Sequence, residues 1–310
     1  MQTKRLVSPS DLSIADMEEL FTVSAELKKR LLNGIHDQSF LGKTLVAIFE
    51  KPSLRTRLSF ETAMTQLGGS TISVAQGEIQ IGKRESVPDV ARVISRYADV
   101  IAIRTFAQKT VNTLARYASV PVINALSDEH HPCQALADIF TMREKLGDLS
   151  KARVCFVGDS NNVSQSLAWF CAKLGIRFVL AAPKGYGFNE KFIKAVRRDV
   201  GQDKLPIREM RDPLKAVKNA DVVYTDVWTS MGQEEEAKIR RAAFENFQVN
   251  AKMMKAAPKH AVLMHCLPAH RGEEITDEVV DGKQSIVFDQ AENRMHIQKG
   301  LLYLLLGETA

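Results

Sequence analysis

The chain has 310 residues, beyond the size at which one hydrophobic core usually stops growing, which points to two domains. Hydrophobic residues make up 45% and charged residues 25%, the balance of a globular chain and not of a disordered or fibrous one. Forty-two Lys and Arg against 37 Asp and Glu leave a mild +5, with no dense basic run and no aromatic RNA-binding signature. That argues against nucleic acid and for a small anionic ligand.

The four cysteines, Cys133, Cys155, Cys171 and Cys266, form no CxxC pair, and Cys155 and Cys171 stand in apolar stretches that suit buried thiols. A reducing setting follows. No apolar run approaches the roughly 20 residues of a bilayer span. The opening "MQTKRLVSPSDLS" has neither the apolar segment of a signal peptide nor the Arg/Ser-rich character of a transit peptide. The expected location is the cytoplasm, with no membrane partner.

In chain order, "SPSDLSIADMEELFTVSAELKKRLL" opens on cap residues and repeats Met17, Leu20, Phe21, Ala25 and Leu27 at helical spacing. Strands are predicted at "TLVAIF", "TISVA", "DVIAIRT" and "VPVINAL", separated by helical patterns such as "VPDVARVISRYA". A break falls over Glu144 to Val154, where Gly147 suits a helix C-terminus. Strands are predicted again at "RVCFVGD", "RFVLAAP", "DVVYTDVW", "AVLMHC" and "SIVFDQ", and a last helix at "ENRMHIQKGLLYLLLG". Glu234 to Glu236 read as the solvated first turn of a helix. This alternation predicts an α/β fold of two doubly wound domains, each a mostly parallel sheet flanked by helices. The predicted divisions are 1–147, 148–290 and a C-terminal helix, 291–310, returning to the first domain.

The stretch "FEKPSLRTRLSFETAMTQLGG" ends an apolar strand in a turn carrying Ser53, Arg55, Thr56 and Arg57. A helix starting there, anchored by Phe60, Ala63, Met64 and Leu67, offers unpaired N–H groups and a positive dipole end to an anion. Ser53 and Thr56 add hydroxyl donors, and Arg55 a planar fork. Arg55 and Arg57 cannot share one helix face, so one meets the ligand while the other secures the loop. The turn does not separate phosphate from carboxylate.

Further polar groups stand at predicted strand ends, the edge where α/β sheets bind ligands. "HHPCQ" places His131 and Gln134 around Pro132, although a plain capped helix explains that stretch equally well. Arg104 closes "DVIAIRT" among apolar neighbours, which favours an anion or a buried carboxylate partner. "FVGDSNNV" has Gly158 alone where a dinucleotide turn needs GxGxxG, while Asn161 and Asn162 offer amides suited to a carboxylate. Asp226 opens a stretch to Ala237 without Lys or Arg, a setting for an amino group. His265, Cys266 and His270, even with Cys133 or His131, lack familiar zinc spacing, so no metal is expected.

The motifs "SLRTR", "QIGKRES", "HPCQ", "NNV", "DVWTSMGQEEE", "HCLPAHRGEEI" and "FDQAENRMHIQKG", in this order over nearly the whole chain, resemble the ornithine carbamoyltransferases. The resemblance implies one domain for carbamoyl phosphate and one for ornithine. It also implies a homotrimer with shared active sites, in which Gln80 reaches the neighbour's site. By the same resemblance, Ser53, Leu54, Arg55, Thr56, Gln80, Arg104, His131, Pro132, Cys133, Gln134, Cys266, Leu267 and Arg294 hold carbamoyl phosphate. Asn162, Asp226, Ser230 and Met231 hold the amino-acid end of ornithine.

Arg104, His131 and Cys266 take the catalytic roles, and no cofactor is implied. Arg104, His131 and Thr56 would polarise the carbamoyl carbonyl. Either Cys266 or the phosphate dianion would receive the proton. Position 54 departs from the family, which commonly has Thr where this chain has Leu54, implying weaker phosphate binding at most. Rival acceptors are aspartate, putrescine and acylated ornithines; rival classes are a dinucleotide oxidoreductase and a non-catalytic phosphometabolite binder.

Overall fold

Ser13 accepts a hydrogen bond from the Asp16 N–H, and Asp16 accepts from the Ser13 N–H. This reciprocal cap satisfies two otherwise orphaned donors and starts α1 (Ile14–Leu32). The structure is a computed structural model that describes every residue except 2, 76, 77, 79, 80, 83, 230–233 and 308–310. The chain divides into two units, Met1–Phe140 with Glu292–Ala310, and Thr141–Ala291.

In the first unit, strands β1 (Arg5–Leu6), β2 (Thr44–Phe49), β3 (Ser70–Val74), β4 (Val100–Arg104) and β5 (Val122–Leu126) form one sheet in the order β1-β5-β4-β2-β3. All of its pairings are parallel. Parallel neighbours need crossovers, supplied by α2 (Leu54–Gln66), α3 (Val87–Ile94) and α4 (Gln108–Tyr117), with α5 (Pro132–Leu146) leaving β5. Helices on both faces explain why β4 is buried at every position, Arg104 included.

The second unit repeats the plan. Strands β6 (Arg153–Val157), β7 (Arg177–Ala181), β8 (Ile207–Met210), β9 (Val222–Thr225) and β10 (Val262–His265) lie in the order β10-β9-β6-β7-β8, again all parallel. Its helices are α6 (Asn162–Lys173), α7 (Glu190–Val200), α8 (Pro213–Val217), α9 (Ala237–Phe244), α10 (Ala251–Ala256) and α11 (Asp277–Val280). Phe156 stacks on Tyr224 across the neighbouring strands β6 and β9, with ring centroids 5.0 Å apart.

The predicted doubly wound α/β plan is thus the observed one, and most predicted strands coincide with real ones. Three short pieces differ. "SIVFDQ" is not a strand: Ser285 makes only an isolated bridge with Leu263, and the helix α12 (Val287–Leu306) begins two residues later. Its three apolar residues are too few to hold a ladder against the helix-forming sequence that follows. β1 is only two residues long, and β8 is a polar edge strand, so neither carries a readable period. The division between units falls inside α5 and again inside α12.

From Asn293 to Tyr303, helix α12 is bound into the first unit. Lys28 Nζ donates to Asn293 Oδ1 at 2.8 Å, Arg294 Nη2 to Thr56 Oγ1 at 2.7 Å and Lys299 Nζ to Gln66 Oε1 at 2.8 Å. Tyr303 stacks on Phe40 at 6.1 Å. Gly300 permits the closest approach, because a Cβ there would collide with Ser24 Oγ and stand 3.2 Å from Ser24 Cβ. No helix among the described residues is long and apolar enough to cross a membrane.

Gly300→Ala should therefore destabilise the first unit by about 1–3 kcal/mol through overpacking. Adding Ser24→Ala should return part of the loss. Urea midpoints for the two variants and the parent check this, and an unchanged midpoint in Gly300→Ala would contradict the close packing.

Candidate functional site

The corner after β2 is built as its sequence suggests. Ser53, at φ −161°, caps α2 by accepting from the Thr56 N–H at 3.2 Å. Thr56 is buried, Arg55 is half-buried, and Leu54 is 70% exposed at the first position of the helix. Arg57 is the arginine that secures structure: its Nε donates to Glu61 Oε1 at 2.8 Å, and Ser73 Oγ of β3 donates to the same oxygen at 2.6 Å. The hydroxyl of Ser73 first, then Arg57, hold the Glu61 carboxyl below its ordinary range.

Three more groups gather at this end of the first sheet. Arg104 ends β4 where the β4–β5 register shifts, and it is buried. His131 precedes Pro132, the first residue of α5, and is also buried. Arg294, from the third turn of α12, donates to Thr56 Oγ1 at 2.7 Å. Burial chiefly, then the charges of Arg294 and Arg104, push the His131 imidazole well below its usual pKa. It therefore stands neutral at pH 7, a single N–H donor between two permanent cations.

Cys133 and Gln134 follow on α5. The Cys133 thiol donates to the Asn124 carbonyl oxygen at 3.6 Å, and burial raises it to about 12, which makes it inert. Gln134 Nε2 donates to Asp138 Oδ1 at 2.8 Å. The first unit thus assembles Ser53, Leu54, Arg55, Thr56, Arg104, His131, Pro132, Cys133, Gln134 and Arg294 on β4, α2, α5 and α12 and the turns that lead into them. Gln80 lies outside the described residues.

In the second unit the convergence is on Asp226, just past β9 and 7% exposed. Its Oδ1 accepts from the Val227 N–H at 2.8 Å and from Cys266 Sγ at 3.0 Å; its Oδ2 accepts from Asn161 Nδ2 at 2.7 Å. Asn161 also caps α6, its Oδ1 accepting from the N–H groups of Val163 and Ser164. Of the two amides offered at this helix start, Asn161 meets Asp226 and Asn162 opens the helix. A cap residue between strand and helix was the signal available. Gly158 sits at φ +151°, a backbone that side-chain-bearing residues rarely adopt, which explains a lone glycine here without a dinucleotide fingerprint. Ser230 and Met231 lie outside the described residues.

Beside Asp226, Arg240 Nη1 donates to Asp159 Oδ2 at 2.7 Å and to the Trp228 carbonyl at 2.9 Å, fixing the start of the loop that follows β9. Burial raises the Asp159 carboxyl, with Asp226 adding to the effect against the pull of Arg240.

Cys266 and Leu267 follow β10. Leu267 holds φ +56°, a left-handed conformation that is costly for a branched residue. The turn is held from behind. The Leu267 N–H donates to His265 Nδ1 at 2.8 Å, so that nitrogen carries no proton and His265 Nε2 donates to Glu274 Oε1 at 3.1 Å. The His270 N–H donates to the same Glu274 oxygen. Ligand atoms of Asp226, His265 and Cys266 lie within 4.8 Å of one another. Both nitrogens of His265 are already engaged, so a metal would have to break the Leu267 or the Glu274 hydrogen bond. Glu274 was not foreseen, because its link to His265 spans nine residues of irregular loop.

Two parallel α/β units with polar side chains gathered at the carboxyl ends of their strands have the architecture of a small-molecule-binding α/β protein, and both halves match one carbamoyltransferase family. Residues 4–144 match the carbamoyl-P binding domain of the aspartate/ornithine carbamoyltransferases, and residues 150–305 match their Asp/Orn binding domain. The chain belongs to this family.

It is 49% identical over 308 residues to the ornithine carbamoyltransferase of Methanopyrus kandleri, covering 99% of this chain and 98% of that one. A Pyrococcus furiosus relative, named ornithine carbamoyltransferase, anabolic, is 52% identical over 266 residues, or 86% of this chain and 84% of its own. The solved structure of ornithine carbamoyltransferase from Pyrococcus furiosus superposes with a TM-score of 0.94 at 46% identity, covering 99% of this chain and 98% of that one.

The depressed His131 makes a stability prediction. Below the unfolded value of 6.5 the unfolded chain takes up a proton that the folded chain refuses. Its contribution is therefore complete above pH 6.5 and falls as pH drops, by up to about 1.4 kcal/mol per pH unit. Urea midpoints between pH 7 and pH 5 should fall less steeply in His131→Asn than in the parent. Identical slopes would contradict the assignment.

Proposed function

We propose that this protein transfers the carbamoyl group of carbamoyl phosphate to the side-chain amine of L-ornithine, giving L-citrulline and phosphate. The observation that carries the reading is the pair of opposed electrostatic settings. Arg104, Arg294 and a neutral His131 meet in one unit; a buried, triply held Asp226 stands in the other.

In this reading Ser53, Arg55, Thr56 and the α2 N-terminus take the phosphate, the group that departs. Arg104, His131 and Thr56 donate to the carbamoyl oxygen, which gains negative charge as the amine adds. Neutral His131 suits this role, since it donates without adding a third charge between two arginines. The backbone N–H of Leu54 serves where its side chain cannot. Pro132 and Cys133 set the turn that presents His131 and Gln134, and Gln80 is proposed to come from a neighbouring copy of the chain.

Asp226 takes the α-amino group of ornithine, with Asn162, Ser230 and Met231 as its partners in the amino-acid site. Cys266 and Leu267 are proposed to contact the carbamoyl group. Adding the neutral side-chain amine to the carbonyl carbon forms the new C–N bond, and expelling phosphate breaks the C–O bond. The amine's surplus proton passes to the departing phosphate, since the Cys266 thiol already holds a proton that it donates to Asp226, and no metal or cofactor is required. Much of the rate then comes from holding both substrates in attack geometry.

The acidic setting of Asp226 argues against aspartate as acceptor. Putrescine would leave the amino-acid site without a partner, and an acylated ornithine has no free α-amine. Arginine biosynthesis in the cytoplasm, by a homotrimer, completes the proposal; the anabolic naming of the Pyrococcus furiosus relative supports the direction.

The test is an amine panel with carbamoyl phosphate: ornithine should give product far faster than putrescine, aspartate or acetylornithine, and any other order overturns the acceptor. Arg55→Ala should raise KM for carbamoyl phosphate, and Asp226→Ala should raise KM for ornithine, each about 30–100-fold for a lost charge-assisted contact. Parent kinetics in both would remove the site assignment. Leu54→Thr, restoring the hydroxyl common in the family, should lower KM for carbamoyl phosphate by about 2–5-fold, the worth of one exposed hydrogen bond. A higher KM would show that Leu54 contributes by contact instead.

A further inference from the structure

Gln134 and Asp138 stand one helical turn apart on the same face of α5, and both are buried, at 1% and 0% exposure. Gln134 Nε2 donates to Asp138 Oδ1 at 2.8 Å. A carboxylate offers acceptors only, so this partner selects the NH2 end of the amide and turns the carbonyl end elsewhere. That carbonyl oxygen, Gln134 Oε1, is buried and has no hydrogen-bond partner among the described residues. A buried acceptor without a donor is rare in folded proteins and asks for a reason.

We propose that Asp138 is a positioning residue for donor-substrate specificity. By accepting from Nε2, it fixes the Gln134 amide so that Oε1 faces the carbamoyl group and accepts from its N–H. This rests on the reading that the first unit binds carbamoyl phosphate. Acetyl phosphate has the same phosphate and carbonyl, with a methyl group in place of NH2. It gains nothing from an acceptor at Oε1 and leaves that oxygen unpaired, so the fixed amide discriminates against it.

Asp138→Asn is nearly isosteric but offers both a donor and an acceptor. Either end of the Gln134 amide then fits, and the flipped form sets NH2 against the substrate's NH2. The measured quantity is the Ki of acetyl phosphate, competing against carbamoyl phosphate, divided by KM for carbamoyl phosphate, using the intact enzyme. In Asp138→Asn this ratio should fall by about 5-fold or more, the size expected for one misplaced polar contact. The change should come mainly from KM for carbamoyl phosphate, with KM for ornithine unmoved.

The double variant Gln134→Glu/Asp138→Asn reverses the polarity of the pair. The asparagine NH2 donates to one carboxylate oxygen, and the other again faces outward as an acceptor. Its ratio should return to within about 3-fold of the parent, a rescue that a packing role for Asp138 does not produce. Gln134→Leu separates the two levels of the argument. If it collapses the ratio while Asp138→Asn leaves the ratio intact, the positioning role is overturned and the binding site stands. If Gln134→Leu also leaves the ratio intact, Gln134 does not meet the carbamoyl group and the site reading itself falls. Should Asp138→Asn not fold, the double variant decides alone: a ratio at the Gln134→Leu level overturns the proposal.

Discussion

The hydrogen bond from Arg294 to Thr56 joins residues 238 positions apart and sets the electrostatics of the corner after β2. It brings a permanent cation from α12 onto the first turn of α2, where the helix dipole is already positive. Arg104 adds a second cation from the end of β4, and His131 answers by staying neutral. Such a corner is unfavourable on its own, since like charges repel in a poorly solvated site. A bound dianion removes the conflict. Helix α12, which carries Arg294, is held by the packing of Gly300 on Ser24 and of Tyr303 on Phe40, so ordinary core contacts keep that cation in place.

The second unit solves the opposite problem. It holds a carboxylate, Asp226, just past the end of β9, with donors that fix its orientation. Asn161 is economical here: one end of its amide caps α6 and the other meets Asp226, so the start of the helix and the orientation of that carboxylate are set by one side chain. The turn after β10 is fixed by the same logic, with His265 binding the Leu267 backbone on one side and Glu274 on the other. In each case a residue beside the chemistry chooses which face of a neighbour is presented.

Much of this was legible in the sequence, for physical reasons. Parallel strands covered on both faces write themselves as unbroken apolar runs, so "TLVAIF" and "RVCFV" could be read with near-final boundaries. The corner at Ser53 was readable as a helix start because a strong cap residue follows directly on an apolar strand. β8 was not, because an edge strand of four residues with polar positions has no period. "SIVFDQ" misled because three apolar residues in a row fit a strand and the onset of α12 equally well until Leu263 and Gln290 are seen around them.

The residues that sequence did not yield share a character. Asp138 and Glu274 each act on another side chain or on a backbone N–H, and their partners lie where helical or loop geometry puts them. Nothing about an aspartate four residues after a glutamine is unusual in a helix, and i, i+4 polar pairs are common on exposed faces. What distinguishes this pair is burial, which sequence does not display. Once both side chains lie out of water, the choice between the two ends of an amide is no longer left to solvent, and a carboxylate beneath it determines that choice. Specificity for an NH2-bearing donor over its methyl analogue then follows from which atom of Gln134 is left without a partner, and that is a property of the pair.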